Sequence, residues 1–229
     1  MRASDTTQRG HEAEVRAEIQ TEARTGIRTE GLDRLLFFSD GVFAIAITLL
    51  ILDIRLPSIE APLNNTQLLQ ELLALWPKVA AYLLSFAVIA TFWVKHHTAF
   101  RYIKAYDSRL ILLNMLLLSV IAFIPFPTAV MRSQPNGVAW AFYSLTMALG
   151  FILSTLIWRH ATHGNHLVSD DLDPHTRRVI LISPMIAGGI FLLSAGLALV
   201  RPSWGSLTLL LLIPAANSRL WSKRDKHTD

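Results

Sequence analysis

An all-α polytopic membrane fold, with six transmembrane helices and both termini cytoplasmic, is what this 229-residue sequence predicts on three grounds. Composition is the first: 52% of residues are hydrophobic and 17% charged, with mean hydropathy +0.40. A soluble domain carries about 25% charged residues. Distribution is the second, because the apolar residues fall in runs of roughly 20, enough to cross about 30 Å of hydrocarbon at about 1.5 Å per residue. The third is charge: assigning alternate loops to opposite sides puts 17 Lys and Arg on one side and 4 on the other. Such a bias marks the cytoplasmic side and requires an even number of spans. Helices are the expected state, since lipid offers no partner to an unpaired backbone group.

The elements follow in order. Residues 1–31 lack an apolar stretch of the kind a signal peptide needs, so none is expected. Asp5, Glu12, Glu14, Glu18 and Glu22 mix with scattered arginines, which predicts a solvated, flexible cytoplasmic arm. A six-helix membrane domain is assigned to residues 32–222 and a basic cytoplasmic tail to 223–229. Its spans are read at Leu35–Ile54, Leu72–Val94, Leu110–Val130, Val138–Trp158, Val179–Val200 and Ser203–Leu220. All six tryptophans (Trp76, Trp93, Trp140, Trp158, Trp204, Trp221) lie near these ends, where amphipathic rings favour the interface.

Several function classes drop out. There are no cysteines, hence no disulfides, thiolate metal sites or cysteine nucleophiles. A net charge of +4 and pI near 9.7 fit the sidedness of membrane loops, so no nucleic-acid partner is expected. No nucleophile–base motif or phosphate loop is visible, so an enzyme is not expected.

The first span carries the chemistry that stands out. Arg34-Leu-Leu-Phe-Phe-Ser-Asp40 places a carboxylate at the entrance of an otherwise apolar helix. An acid at a helix centre costs about 2.5–3.5 kcal/mol on insertion scales, and less near the interface. Either Asp40 is tied to a donor on a neighbouring helix, or it serves an ion or proton. At 100° per residue Ile45, Leu49 and Leu52 form one stripe with Thr48 at its edge, and Asp40 lies about 140° from Ile45. If the stripe lined a pore, Asp40 would turn into its own subunit. By phase alone such a stripe faces lipid or packing far more often than a pore. Trp93 and His97 share a face of the second span at the same membrane side as Asp40. Asn114 is a buried-amide candidate in the third span.

Arg34-x3-Phe38-Ser39-Asp40 followed by Gly-Val-Phe-Ala-Ile-Ala-Ile-Thr-Leu-Leu resembles the signature of the transmembrane protein 175 potassium channels, lysosomal in animals and with prokaryotic relatives. Trp93-x3-His97 and the run from Asn114 to Pro125-Phe-Pro127 are similar to that family's second and third helices. The likeness is strong over residues 32–130 and topological over 131–222. It implies a potassium-permeable cation channel of the prokaryotic, single six-helix-repeat kind, multi-pass in the cell membrane. The resemblance further implies a homotetramer in which the first helix of each copy lines a central pore. Ile45, Leu49 and Leu52 would then match the constriction and Thr48 a hydroxyl layer. Arg34, Phe38, Ser39, Asp40, Trp93 and His97 would form a packing network with Asn114. No cofactor is implied beyond permeant potassium ions, and the partners are those ions, the bilayer and further copies of the chain.

Two alternatives stay open. Asp40 and His97 could relay protons in a secondary transporter or proton pathway. His160, His163 and His166, with Asp170, Asp171 and Asp173, could bind a metal, but three-residue spacing in a polar loop fits a solvated segment better.

Overall fold

The computed structural model describes residues 30–56, 62–165, 167–169 and 172–201. Among them, five stretches are helical, long and apolar enough to cross a membrane. The sixth expected span, Ser203–Leu220, lies outside the described residues, as do nearly all of the N-terminal arm and the basic tail.

Helix α1 (Glu30–Leu52) tightens into a 3-10 turn at Leu50–Asp53, and the Arg55 side chain donates to the Leu52 carbonyl at 3.0 Å. The second expected span divides in two. A short amphipathic helix α2 (Asn65–Ala74) opens on a capping box between Asn64 and Gln67. Helix α3 (Trp76–Phe100) follows with Pro77 in its first turn, where a missing N–H costs nothing. It therefore starts later and runs six residues further than the hydropathy boundary at Val94, keeping His96 and His97 helical.

Asp107 caps α4 (Ser108–Phe123) by accepting from the Leu110 N–H at 2.7 Å. The third span then breaks at Ile124, and α5 (Pro125–Ser133) continues it. Pro125 and Pro127 withhold two backbone donors and crowd the preceding turn, a sufficient cause for the break. Asn136 caps α6 (Gly137–Thr162), and Asp173 caps α7 (Pro174–Val200). Gly164 and Asn165 turn the chain between them with φ of 71° and 58°. At Gly164 that left-handed backbone favours glycine.

Helix α6 is the central strut. Tyr143, Met147, Phe151 and Trp158 are all fully buried, and Phe151 stacks on Phe92 of α3 with ring centroids 4.1 Å apart. Gly150 makes room for this, because a Cβ there would stand 2.7 Å from the Phe92 ring. The α3–α4 and α6–α7 loops join through an isolated bridge between Ile103 and Val168. Gly31, at the start of α1, abuts Tyr106 of the α3–α4 loop. These three segments thus share one end of the bundle, the grouping that the charge count requires.

Tryptophan placement departs from the interfacial expectation in part. Trp76 is exposed, but Trp158 is buried and donates from Nε1 to the Arg177 carbonyl at 3.0 Å. Half-buried Trp140 donates to Ser194 at 3.0 Å. Both rings fill the α6–α7 seam, where an indole is stable because its one N–H finds an acceptor. Trp204 and Trp221 lie outside the described residues.

Candidate functional site: the two faces of the first helix

Among the described residues, one face of α1 is packed and the other is exposed. Leu32, Ser39, Phe43, Ala46 and Leu50, spaced by three, four or seven residues, are buried in the bundle. Serine stands in this apolar row because its hydroxyl is fully engaged. Ser39 Oγ donates to the Leu35 carbonyl at 2.8 Å and accepts from Asn114 Nδ2 at 3.0 Å. The Asn114 amide oxygen in turn lies 2.9 Å from His96 Nε2. An amide oxygen only accepts, so the His96 proton on that contact sits on Nε2. Phe100 stacks on the His96 ring at 4.2 Å and Phe43 lies 5.5 Å from it. Ser39, Asn114 and His96 therefore pin three helices, α1, α4 and α3, by one buried polar chain.

A second clamp lies at the shoulder of the helix. Trp93 Nε1 donates to Asp40 Oδ1 at 2.9 Å, and the Trp93 ring stacks on His97 with centroids 5.5 Å apart. Asp40 is exposed at this shoulder, beside the buried face and not inside it, since the carboxylate reaches out sideways to the indole. His97 reaches Asp40 only through Trp93. Arg34 and Phe38 are exposed, and within the chain no hydrogen bond joins Arg34 to the Phe38–Asp40 turn.

His96 is the member that the sequence reading missed. The Trp93-x3-His97 spacing drew attention to the outer face of α3. The available signal was periodicity: His96 sits four residues from both Phe92 and Phe100, on the buried row of α3. Asn114 occupies the structural position expected of a buried amide, between Ser39 and His96.

The opposite face of α1 is largely exposed among the described residues. Ile45 is 60% exposed, Leu49 41% and Leu52 57%. Thr48 is exposed among them, and its hydroxyl donates to the Ile45 carbonyl at 2.9 Å. That bond uses the proton and leaves the oxygen able to accept or to coordinate a cation. From Gly41 to Leu52 the helix has no charged side chain. A cation on this face would meet hydroxyl oxygens and aliphatic carbon only.

Of the histidine loop, the described members take structural roles. His160 Nε2 lies 2.9 Å from Asp107 Oδ2, buttressing the α4 cap, and Asp173 is the cap of α7. His166, Asp170 and Asp171 lie outside the described residues. Among those described, no group of three or more His, Cys, Asp or Glu side chains could hold a metal.

Comparison with known proteins gives a consistent result. Residues 34–125 match the family model for the endosomal/lysosomal potassium channel TMEM175. A potassium channel of Streptomyces collinus is 41% identical over 168 residues, 71% of this chain and 80% of that protein. The crystal structure of a lysosomal potassium-selective channel TMEM175 homolog from Chamaesiphon minutus superposes with a TM-score of 0.71 at 31% identity, covering 82% of this chain and 97% of that one. The human endosomal/lysosomal proton channel TMEM175 is 29% identical over 150 residues, 64% of this chain and 29% of that protein.

Proposed function

Because this chain belongs to the TMEM175 family, whose members are ion channels and not enzymes, we propose that it is a potassium-permeable cation channel of the cell membrane. Its pore is formed by the α1 helices of a homotetramer, constricted at Ile45, Leu49 and Leu52 with Thr48 as a hydroxyl layer. The observation that carries this reading is the asymmetry of α1. One face is locked by Ser39 and Asp40, while the uncharged stripe opposite is left exposed among the described residues.

The physics of such a neck is simple. An aliphatic ring gives a hydrated cation nothing in exchange for its water, so it dewets and gates when narrow. Selectivity then rests on what can replace the hydration shell, and the Thr48 oxygens are the polar side-chain groups at this level. Ser39, Asp40, Trp93 and Asn114, with His96 added and His97 stacked on Trp93, hold the helix in register and do not meet the ion, while Arg34 and Phe38 lie exposed beside this network. On this reading both termini are cytoplasmic, the side to which the excess of Lys and Arg assigns them.

The test is conductance of reconstituted variants. Ile45→Asn places an amide in the neck, and Leu52→Ala widens it. Each should raise leak conductance about tenfold or more, which corresponds to about 1.4 kcal/mol of lost barrier, with assembly unchanged. Unchanged conductance in both variants would move the constriction elsewhere.

A second reading, proton conduction, is favoured by the human relative described as a proton channel. In its sequence-derived form it passes protons between Asp40 and His97. The Trp93 indole stands between those groups and has no proton to give up at ordinary pH, so direct transfer would need water around it.

A further inference from the structure

Outside the α1 network, one cation stands in an unusual place. Lys95 lies in the last two turns of α3, half-buried, and its ammonium donates to the Ser183 hydroxyl of α7. No Asp or Glu pairs with it among the described residues. It borders an open cleft between α3, α4, α6 and α7, lined by Val94, Leu117, Ile157, Ile180 and Pro184 as well as Ser183. A cation taken from water and given only one neutral partner is left with most of its desolvation cost uncompensated. Most of the remaining lining is apolar, with His96, Thr98 and Ser154 the further polar residues and no second cation, so a small hydrated anion would gain little there. The combination of unpaired ammonium and apolar walls selects an amphiphile with a negative head and a hydrocarbon tail.

We propose that this cleft is a binding site for one anionic phospholipid per subunit, drawn from the leaflet at the basic end of the bundle. Its headgroup phosphate accepts from Lys95, in place of or alongside Ser183, and one acyl chain lies against Ile157 and Ile180. Lys95 sits in the helical turn that also carries Trp93, His96 and His97. The lipid therefore braces the turn that holds α1 through Asp40 and Asn114.

Native mass spectrometry of the full-length protein, exposed to phosphatidylglycerol or phosphatidylcholine in mild detergent, tests this. The wild type should retain phosphatidylglycerol with a roughly fivefold preference, the factor one near-surface cation supplies. Lys95→Gln should bring the preference to about unity and Lys95→Arg should keep it. Ile180→Trp, which fills the cleft and leaves the ammonium, should lose lipid retention. Oleate at equal concentration should displace little phosphatidylglycerol. Efficient displacement would overturn the phospholipid assignment in favour of a free carboxylate. Equal retention of both lipids by the wild type, or an unaltered preference in Lys95→Gln, would overturn the site itself, and would be expected if another part of the assembly covers the cleft. The wild-type comparison stands even if a variant fails to fold.

Discussion

Replacing Asn114 by leucine tests whether the buried polar chain holds α1 in place. Leucine has asparagine's branching and heavy-atom count, so no cavity opens; the loss is polar, with its bulkier methyl groups adding to the cost. The substitution removes the 3.0 Å bond to Ser39 and the 2.9 Å bond to His96. Ser39 keeps its own bond to the Leu35 carbonyl, whereas His96 Nε2–H is left buried with no acceptor. An orphaned buried donor costs about 1–3 kcal/mol and a simple lost bond about 0.5–1.5 kcal/mol, giving roughly 2–4 kcal/mol in all. His96→Leu alone strands the Asn114 oxygen and should cost about 1–3 kcal/mol. In the double variant neither orphan exists, so the pair should couple by about 1–2 kcal/mol. Membrane hydrogen bonds measured in this way average about 0.6 kcal/mol, which sets the lower end. The assay is thermal unfolding in detergent, followed by the intrinsic tryptophan signal, for the wild type, both single variants and the double. Additivity within about 0.3–0.5 kcal/mol would mean the two residues act independently, and would refute the pinning argument.

Other outcomes follow from the same geometry. Asp40→Ala should impair tetramer yield more than ion selectivity, because it leaves the Trp93 N–H unpaired, while Asp40→Asn retains an acceptor and should assemble nearly as the wild type does. Size-exclusion chromatography and bi-ionic potentials separate the two effects, and well-assembled Asp40→Ala with altered selectivity would contradict the assignment. Gly150→Val should lower stability by about 1–3 kcal/mol, read from Tm, since even its Cβ would stand 2.7 Å from the Phe92 ring; an unshifted Tm would mean the α3–α6 seam yields freely.

Much of the fold was legible because hydrocarbon imposes lengths and charges impose sides. The spans at Gly137–Thr162 and Pro174–Val200 lie close to their hydropathy limits, apart from the first turn of each charged end, which hydropathy discounts. The breaks were harder. Leu72 and Leu73 read as the start of a span, but they are exposed on α2, a separate helix before Trp76. Hydropathy has no way to mark where one apolar helix stops and another starts. Pro125 and Pro127 were visible, and the helix breaks at Ile124 beside them.

The polar network was half legible. Asp40 and Asn114 stood out as polar groups within apolar helices, and Ser39 through the Phe38-Ser39-Asp40 signature. Which histidine answers Asn114 could not be read from the pair His96–His97, since adjacent residues on a helix point 100° apart and either could face inward. Only the aromatic row of Phe92 and Phe100 fixes the rotation. Trp158 shows the converse: its place at a span end suggested an interfacial anchor, and packing against Arg177 buried it instead.

Ion flux from liposomes bearing the purified full-length protein tests the channel claim most directly, with potassium, sodium and proton gradients imposed in turn. A pore whose narrowest part is aliphatic with a threonine oxygen layer should pass potassium faster than sodium, and Ile45→Asn should raise both fluxes. Folded oligomers that pass no cation under any gradient, or that pass protons while potassium stays trapped, would contradict it.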